Sequence, residues 1–281
     1  HNKYSNILKI TINKTAAITE SIIHSDFINK EDDILLFNGR LPVEFTIQKK
    51  LFEFRINNLI FHECNNYQNK IYFMNHSLHK LGLYKQEIEN FHHKNESKVL
   101  SYWYANKQIS NINEKKYITY FTSSNDEYKF TYEKPIDQSR IINDLLKINF
   151  GNYEFKIRVH PNTKNKDISV KRYWKRIETL YPEKIINFDN DISSYELCQR
   201  SLFTISIGSS IAAESLILGI PHVLIGDQNW YYDFPGYIKV SEKNCIDFIS
   251  DKLKNPPFFN KYEITEDHKK FAASTQLFLK L

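Results

Sequence analysis

The sequence predicts an α/β protein with a parallel sheet in its C-terminal half. Short apolar runs, typical of buried parallel strands, recur along the chain. Segments with the helical spacing of apolar residues separate these runs. Residues 203–225 form one complete strand–helix–strand pattern, because glycine and proline stand where its helix should stop.

Composition limits the class of protein. A chain of 281 residues is long enough for two ordinary domains. Its hydrophobic fraction of 41% and aromatic fraction of 15% supply packed cores, which excludes a disordered chain. The net charge of +5 suits an anionic ligand or an acidic membrane surface, and the basic blocks of a nucleic-acid-binding protein are missing.

Targeting and cysteine patterns indicate the compartment. No apolar run reaches the roughly 18 to 20 residues of a membrane span, and no signal peptide is evident. The three cysteines, Cys64, Cys198 and Cys245, are widely separated and form no CxxC pair. We therefore expect a cytoplasmic protein without a disulfide framework or a zinc site.

In the N-terminal half, two predicted strands end in polar motifs. Residues 33–37 form a strand that stops at Asn38-Gly39-Arg40, residues 43–56 have helical spacing, and residues 58–61 form a strand that stops at His62-Glu63. Both motifs then point into one crevice, where Arg40 could hold an anion. Glu63, or else His62, could deprotonate an acceptor hydroxyl. Loop residues and surface ion pairs are an equally good interpretation of each motif.

The C-terminal half repeats the alternation more clearly. Residues 107–116 are polar and irregular and form the predicted linker, so we place one domain at residues 1–108 and a second at 109–281. The predicted strands are 117–121, 155–159, 185–186, 203–207 and 221–225. The predicted helices are 137–148, 168–181, 194–198, 211–218 and 262–281.

The loop Gly208-Ser209-Ser210 is the first candidate ligand site. A small-residue loop that opens a helix presents backbone N–H groups and the positive end of the helix dipole, a geometry that binds phosphate. Glu214, one turn into the helix, could accept hydrogen bonds from ribose hydroxyls. An ordinary strand-to-helix turn capped by serine is the alternative. Neither GxGxxG nor a P-loop is present, so no nicotinamide or ATP site is predicted.

Polar residues also follow two other strands of this half. Arg158 and His160-Pro161-Asn162 lie at the end of one predicted strand, and ligands of open parallel sheets lie outside the carboxyl ends of the strands. His160 could donate to a phosphate oxygen, with Arg158 in support, or it could cap a local carbonyl. Ser123 and Ser124 follow residues 117–121, where they could line a cleft between the two predicted domains or form a turn. No set of histidines has ligand spacing, so no metal is predicted.

These motifs resemble those of a known family. Residues 117–233 resemble the C-terminal half of GT-B-fold glycosyltransferases of bacterial surface polysaccharides, on the basis of His160-Pro161, the 206–210 stretch Ser-Ile-Gly-Ser-Ser and the 214–221 stretch Glu-Ser-Leu-Ile-Leu-Gly-Ile-Pro. The 37–40 stretch Phe-Asn-Gly-Arg and the 61–63 stretch Phe-His-Glu are similar to paired strand-end motifs of polysaccharide-locus transferases. Capsule-synthesis transferases, bacterial sialyltransferases and teichoic-acid polymerases grip a cytidine nucleotide with such a His-Pro motif and a serine pair.

The resemblance implies a fold and an activity. It implies two Rossmann-like domains that face each other across a cleft, with an N-terminal acceptor domain that is short and expected to lack its first strands. The enzyme would transfer a sugar from a CMP- or UDP-sugar to a capsule polysaccharide, lipopolysaccharide or glycolipid acceptor at the cytoplasmic face of the inner membrane. The donor is a substrate, and neither a metal nor a cofactor is implied. His160, Ser209 and Ser210 would hold phosphate and Glu214 ribose.

One departure from the family pattern and two rival functions stay open. Gly-Ser-Ser stands where capsule enzymes commonly have Asn-Ser-Thr. Many GT-B enzymes bind uridine nucleotides by a glutamate similar to Glu214, so a UDP-sugar stays open beside a CMP-sugar. A non-hydrolysing nucleotide-sugar 2-epimerase shares the architecture and would need no acceptor. A non-catalytic nucleotide- or glycan-binding module would bind without turnover.

Overall fold

The structure is a computed structural model. It describes residues 12–18, 20–21, 31, 33–37, 42–53, 55, 58–65, 70–74, 81–105, 115–123, 136–226, 231, 233–254 and 257–278. The chain divides into two compact units, residues 1–84 and residues 85–279. Among the described residues, no helix is long and apolar enough to cross a membrane.

The first unit contains a three-stranded sheet in the order β1-β2-β3. Strand β1 (Ile34–Phe37) pairs in parallel with β2 (Leu59–Asn65), and helix α1 (Pro42–Glu53) connects them. Strand β3 (Lys70–Met74) pairs with β2 in antiparallel orientation. A small apolar cluster forms the core between α1 and the strands: Leu36, Ile47, Leu51, Leu59 and Phe61. The predicted strand–helix–strand unit is therefore confirmed.

Strand β2 is longer than the sequence predicts. We expected it to stop at Phe61, with His62 and Glu63 at its end, but it continues to Asn65. His62 lies opposite Phe73 and Glu63 lies opposite Tyr72. The missed strand β3 is the physical reason, since its backbone pairs with the second half of β2 and keeps it extended. The described sheet of this unit is thus mixed, not the all-parallel sheet of a Rossmann-like domain.

The second unit contains a six-stranded, entirely parallel sheet. Its strands are β4 (Tyr117–Phe121), β5 (Glu154–Arg158), β6 (Ile185–Ile186), β7 (Ser201–Ser206), β8 (His222–Ile225) and β9 (Ile238–Val240). Its helices are α2 (Leu81–Asn95), α3 (Val99–Ala105), α4 (Gln138–Leu145), α5 (Ile168–Leu180), α6 (Ser194–Gln199), α7 (Ile211–Ile217), α8 (Cys245–Lys254), α9 (Pro257–Asn260) and α10 (Glu266–Phe278).

The strand order β6-β5-β4-β7-β8-β9 is that of a Rossmann fold. Numbered in chain order within this sheet, it reads 3-2-1-4-5-6. Helices cover both faces, because Ile118 and Tyr120 of β4 belong to the core cluster that includes α4, α5 and α8, whereas Phe121 packs with α6 and α7. Parallel sheets need this double cover, and the strands β7 and β8 are buried along their whole length. The predicted α/β class is confirmed.

Helices α2 and α3 belong to the second unit for most of their length. Trp103 of α3 is buried, with its ring centroid 6.1 Å from that of Tyr195. The Tyr104 hydroxyl donates a hydrogen bond of 3.0 Å to the Ile217 carbonyl. His92 Nδ1 of α2 lies 3.0 Å from Ser274 Oγ of α10. The division at residues 84 and 85 therefore precedes the predicted boundary at 108 and 109, and residues 107–114 of the predicted linker lie outside the described residues.

The end of α7 is built as the sequence predicts. Gly219 follows the helix with φ of +72°, and its N–H donates to the Leu216 carbonyl at 2.9 Å. The Ile220 N–H donates to the Ser215 carbonyl at 2.8 Å, which completes a Schellman motif. Glycine is required because a left-handed residue without a Cβ avoids the steric cost of this backbone conformation.

Replacing this glycine tests the cap. We expect Gly219→Ala to lower the free energy of unfolding by about 1 kcal/mol, because the left-handed conformation becomes strained while a Cβ would meet Lys269 only at an ordinary 3.9 Å. Gly219→Asn should cost less, since asparagine tolerates this region. Urea denaturation measures both values, and an alanine variant as stable as the wild type would contradict the assignment.

Candidate functional site

The carboxyl ends of β4, β5 and β7 lie side by side at one edge of the sheet. The chain turns from β4 to β5 on one side and later places β7 on the other side, so the strand order reverses between β4 and β7. Ligands of open α/β sheets bind outside the carboxyl ends at this reversal. Ser123 follows β4, His160 follows β5 and Gly208-Ser209-Ser210 follows β7. The structure thus brings three of the predicted segments to one edge.

Hydrogen bonds hold His160 beside the end of β4. Its backbone N–H donates to Thr122 Oγ1 at 2.8 Å, and the Thr122 N–H donates to the Arg158 carbonyl at 3.1 Å. The ring nitrogen Nδ1 accepts a hydrogen bond of 3.2 Å from the Asn162 N–H. A neutral imidazole that accepts at Nδ1 carries its proton on Nε2. The Nε2 atom of His160 is therefore a hydrogen-bond donor. Pro161 begins the short 3-10 helix Pro161–Asn165, whose first turn the His160 ring caps.

The serine loop, Gly208-Ser209-Ser210, is partly open to solvent and is hydrogen-bonded to helix α10. Gly208 and Ser209 are half-buried, and Ser210 is exposed. Gln276 Nε2 of α10 donates a hydrogen bond of 2.9 Å to the Ser210 carbonyl. In the part of the chain that the structure describes, the backbone N–H groups of Ser210 and Ile211 have no acceptor, as expected at a helix start. Both are donors that an anion could use.

A buried chain of polar side chains lies behind this loop. Ser206 Oγ is 3.0 Å from His222 Nε2, and His222 Nδ1 is 2.7 Å from Thr204 Oγ1. Thr204 Oγ1 donates to Ser215 Oγ at 2.8 Å, and Ser215 Oγ donates to the Ile211 carbonyl at 2.8 Å. All four side chains are buried.

The directions of these bonds define the tautomer of His222. Because the Thr204 hydroxyl proton goes to Ser215, Thr204 must accept from Nδ1–H of His222. Nε2 of His222 then accepts from the Ser206 hydroxyl, which leaves Ser206 Oγ to accept from the Ser209 N–H at 3.4 Å. Burial lowers the pKa of His222 to about 3, so the ring stays neutral. The signal for this network in the sequence is weak: Thr204 and Ser206 are polar residues inside the predicted strand 203–207.

Glu214 has a partner that the sequence analysis missed. The Tyr195 hydroxyl of α6 donates a hydrogen bond of 2.8 Å to Glu214 Oε1, and both side chains are half-buried. The side chain of Ser193 caps α6 by accepting a hydrogen bond of 3.2 Å from the Tyr195 N–H. The position of the Glu214 carboxylate is therefore fixed from α6.

Arg158 is not placed as a direct phosphate ligand. Its Nη1 donates to the Asn187 carbonyl at 2.6 Å and its Nη2 to the Asn190 carbonyl at 3.0 Å. The side chain is buried, Nε has no hydrogen-bond partner among the described residues, and burial lowers the pKa of the guanidinium. Arg158 thus holds the segment after β6 in place. These contacts could not be predicted from the sequence, because they depend on the conformation of the loop that contains Asn187 and Asn190.

Ser123 is braced through its backbone, whereas its hydroxyl lacks a partner. The Ser123 N–H donates to Gln138 Oε1 at 2.8 Å, and Gln138 Nε2 donates to the Ser123 carbonyl at 3.1 Å. Ser123 Oγ is buried without a hydrogen-bond partner in the described part of the chain. A buried hydroxyl without a partner costs free energy, which a ligand at this edge could recover.

The remaining predicted residues lie outside what the structure describes. This holds for Asn38, Gly39, Arg40 and Ser124, and for the side chains of His62 and Glu63. Within the described ranges, no group of three or more His, Cys, Asp or Glu residues is placed to hold a metal ion.

Comparisons with known proteins find remote structural similarities. No protein-family model and no curated protein matches the sequence. TarM is similar with a TM-score of 0.36 at 12% identity, over 62% of this chain and 33% of TarM. The wall teichoic acid polymerase TagF, in a structure soaked with CDPG, is similar with a TM-score of 0.33 at 17% identity, over 70% of this chain and 48% of TagF. These similarities are too remote to define a family or an activity for this chain, which spans less than half of either protein.

The pH dependence of stability tests the buried histidine. The pKa of His222 in the native state lies below the ordinary value of 6.5. Between these two pKa values the histidine is protonated in the unfolded chain and neutral in the native protein. The free energy of unfolding is therefore highest above about pH 6.5. Below that pH it falls by about 1.4 kcal/mol per pH unit, which amounts to about 2 kcal/mol at about pH 5. His222→Gln should show a flatter profile in urea denaturation between about pH 7 and about pH 5. The exposed His93→Gln is the control, and identical slopes for His222→Gln and wild type would refute the assignment.

Proposed function

We propose that this chain is a glycosyltransferase whose second unit binds an activated sugar through its nucleotide phosphates. One observation supports this most strongly. The strand order reverses at the edge of the sheet where the segments of Ser123, His160 and Ser209 follow three neighbouring strands. The proposal includes a nucleotide-sugar donor, either a CMP- or a UDP-sugar, and a surface polysaccharide or glycolipid acceptor. It also includes location at the cytoplasmic face of a membrane.

Several hydrogen-bond donors at the carboxyl edge of the sheet can bind the phosphates. His160 Nε2–H, the amide N–H groups of Ser210 and Ile211 and the Ser209 and Ser123 hydroxyls supply hydrogen bonds to phosphate oxygens. Glu214, oriented by Tyr195, accepts from ribose hydroxyls. The conformation of the two loops depends on Gly208, Pro161 and Asn162. Arg158 contributes indirectly, because it donates hydrogen bonds to the carbonyls of Asn187 and Asn190. Asn38, Gly39, Arg40 and Ser124 would complete the site.

The reaction needs charge stabilisation and one base. The bond between the anomeric carbon and the nucleotide phosphate oxygen breaks, and the acceptor oxygen forms the new bond to that carbon. The negative charge gained by the departing nucleotide is stabilised by the fixed donors of His160 and the serine loop, without an obligatory metal. The acceptor proton passes to Glu63, or to His62 as the second choice.

Nucleotide binding is the first test. A bound nucleotide raises the stability of the fold by about 2.7 kcal/mol at a hundredfold excess over its dissociation constant. We expect CMP, CDP or UDP to raise the thermal unfolding midpoint, with GDP ineffective. No shift with any of these nucleotides would contradict the proposal.

Removing the imidazole tests the phosphate role. His160→Ala should abolish transfer from the nucleotide-sugar that binds, while the unfolding midpoint without ligand changes little because the ring is only half-buried. His93→Ala, an exposed histidine of α2, is the matched control. A fully active His160→Ala protein would remove the assignment, and turnover of the donor in the absence of any acceptor would favour an epimerase instead.

Ribose recognition can be separated from phosphate recognition. We expect Glu214→Gln to bind the ribonucleotide roughly 10- to 100-fold more weakly, since a hydrogen bond to a charged group is lost. The same change should leave the affinity for the 2′,3′-dideoxynucleotide nearly unaltered. Tyr195→Phe should show a smaller loss in the same direction, because it only frees the carboxylate. Calorimetric titration measures these affinities, and equal losses for both nucleotides would argue against ribose contact.

A further inference from the structure

Gln138, the first residue of α4, binds both backbone groups of one residue of the candidate site. Its Oε1 accepts a hydrogen bond of 2.8 Å from the Ser123 N–H, and its Nε2 donates one of 3.1 Å to the Ser123 carbonyl. Two bonds from one planar amide fix both the position and the rotation of this part of the backbone. We call this pair of hydrogen bonds the Gln138 clamp.

The Gln138 side chain is itself held in place. It is only 3% exposed, and the Tyr120 hydroxyl of β4 donates to its Oε1 at 3.4 Å. The first turn of α4 is capped by the Asp137 side chain, which accepts from the Arg140 N–H at 3.1 Å. The Gln138 clamp therefore joins a fixed helix start to the end of β4.

The hydroxyl of Ser123 has been left without a protein partner by this arrangement. A buried serine hydroxyl normally bonds to a nearby backbone group or side chain. Ser123 is 5% exposed, and its own N–H and carbonyl are bonded to Gln138. Its Oγ has no hydrogen-bond partner in the part of the chain that the structure describes. A buried donor in this state needs an explanation, and a ligand that supplies the acceptor is one.

Ser123 stands where the strand order of the sheet reverses. It closely follows β4, which lies between β5 and β7. The hydrogen bond from the His160 N–H to Thr122 Oγ1 places the end of β5 beside the same segment. Ligands of open α/β sheets bind at such a reversal, so the unpaired hydroxyl belongs to the candidate site.

We propose that Gln138 is a positioning residue of the candidate site, and that the Gln138 clamp keeps the Ser123 hydroxyl available for a hydrogen bond to the ligand. The ligand supplies an acceptor oxygen, and this inference rests on the proposed function for its identity as a nucleotide phosphate. Gln138 does not touch the ligand. Its effect on binding passes through Ser123, whose hydroxyl gains on binding the partner that it lacks in the free protein.

Removing the hydroxyl should change stability and affinity in opposite directions. Without ligand, Ser123→Ala should raise the thermal unfolding midpoint by roughly 2–4 °C, because a buried polar group without a partner is removed. Its affinity for the CDP or UDP that binds the wild type should fall roughly 10-fold, since a hydrogen bond to a charged phosphate is lost. Scanning fluorimetry and calorimetric titration measure the two effects. A serine that serves only the fold would not combine a gain in stability with a loss of affinity.

A double-mutant cycle tests the positioning role of Gln138. Gln138→Met keeps the length of the side chain and removes both bonds of the Gln138 clamp. We expect the affinity for the same nucleotide to fall roughly 3- to 10-fold and the unfolding midpoint to fall as well. Ser123→Ala combined with Gln138→Met should bind no more weakly than Ser123→Ala alone, because Gln138 acts through the hydroxyl. A glutamine with only a structural role would give losses of affinity that add.

Tyr237→Phe is the matched control for the missing hydroxyl. Tyr237 directly precedes β9, at the opposite edge of the sheet, and its buried hydroxyl also lacks a partner among the described residues. This variant should gain stability as Ser123→Ala does, because the same kind of unpaired group is removed. It should bind the nucleotide with the affinity of the wild type.

Three results would overturn the inference: Ser123→Ala binds the nucleotide as tightly as the wild type, it is less stable than the wild type, or the two losses of affinity add in the double variant. Should Gln138→Met fail to fold, the two measurements on Ser123→Ala decide alone. A wild type that binds no nucleotide contradicts the proposed function as well. Nucleotide binding that Ser123→Ala leaves unchanged overturns this inference only.

Discussion

The parallel pairing of β4 with β5 on one side and with β7 on the other creates the sheet edge that carries the candidate site. It places three carboxyl strand ends at one edge and makes the chain leave that edge in opposite directions. A gap opens where connections diverge, and polar groups can fill it without disturbing the apolar sheet. The hydrogen bond from the His160 N–H to Thr122 Oγ1 joins two of these strand ends. Every role proposed for the edge depends on this arrangement.

The buried histidine connects the core to this edge. His222 lies opposite Thr204 in the register of β7 and β8, so its ring fits between two hydroxyls of one strand. A neutral ring satisfies both hydroxyls, and the chain of bonds ends at the backbone of the serine loop. Such a network is stable only when every member has a partner, which also gives the loop one defined position. The buried network thus contributes to the candidate site by holding the serine loop, residues 208–210, in one position.

Sequence patterns predicted the elements well and the contacts between them poorly. Apolar runs located β4, β5 and β7, and Gly219 located the end of α7, because burial and a left-handed backbone leave local signals. Strand β3 was missed, since its extended form depends on pairing with β2. The partners of Arg158, Glu214 and His222 come from loops or from strand register, which no local pattern contains. The positions of these segments at the ends of neighbouring strands were therefore predictable, whereas the orientation of their side chains was not.

We propose that the carboxyl edge of the six-stranded sheet holds nucleotide phosphates, and a crystal structure of the chain grown with CDP or UDP can test this proposal. We expect phosphate oxygens within hydrogen-bond distance of His160 Nε2 and of the backbone N–H groups of Ser210 and Ile211. A nucleotide bound elsewhere on the chain, with this edge occupied only by solvent, would refute the proposal.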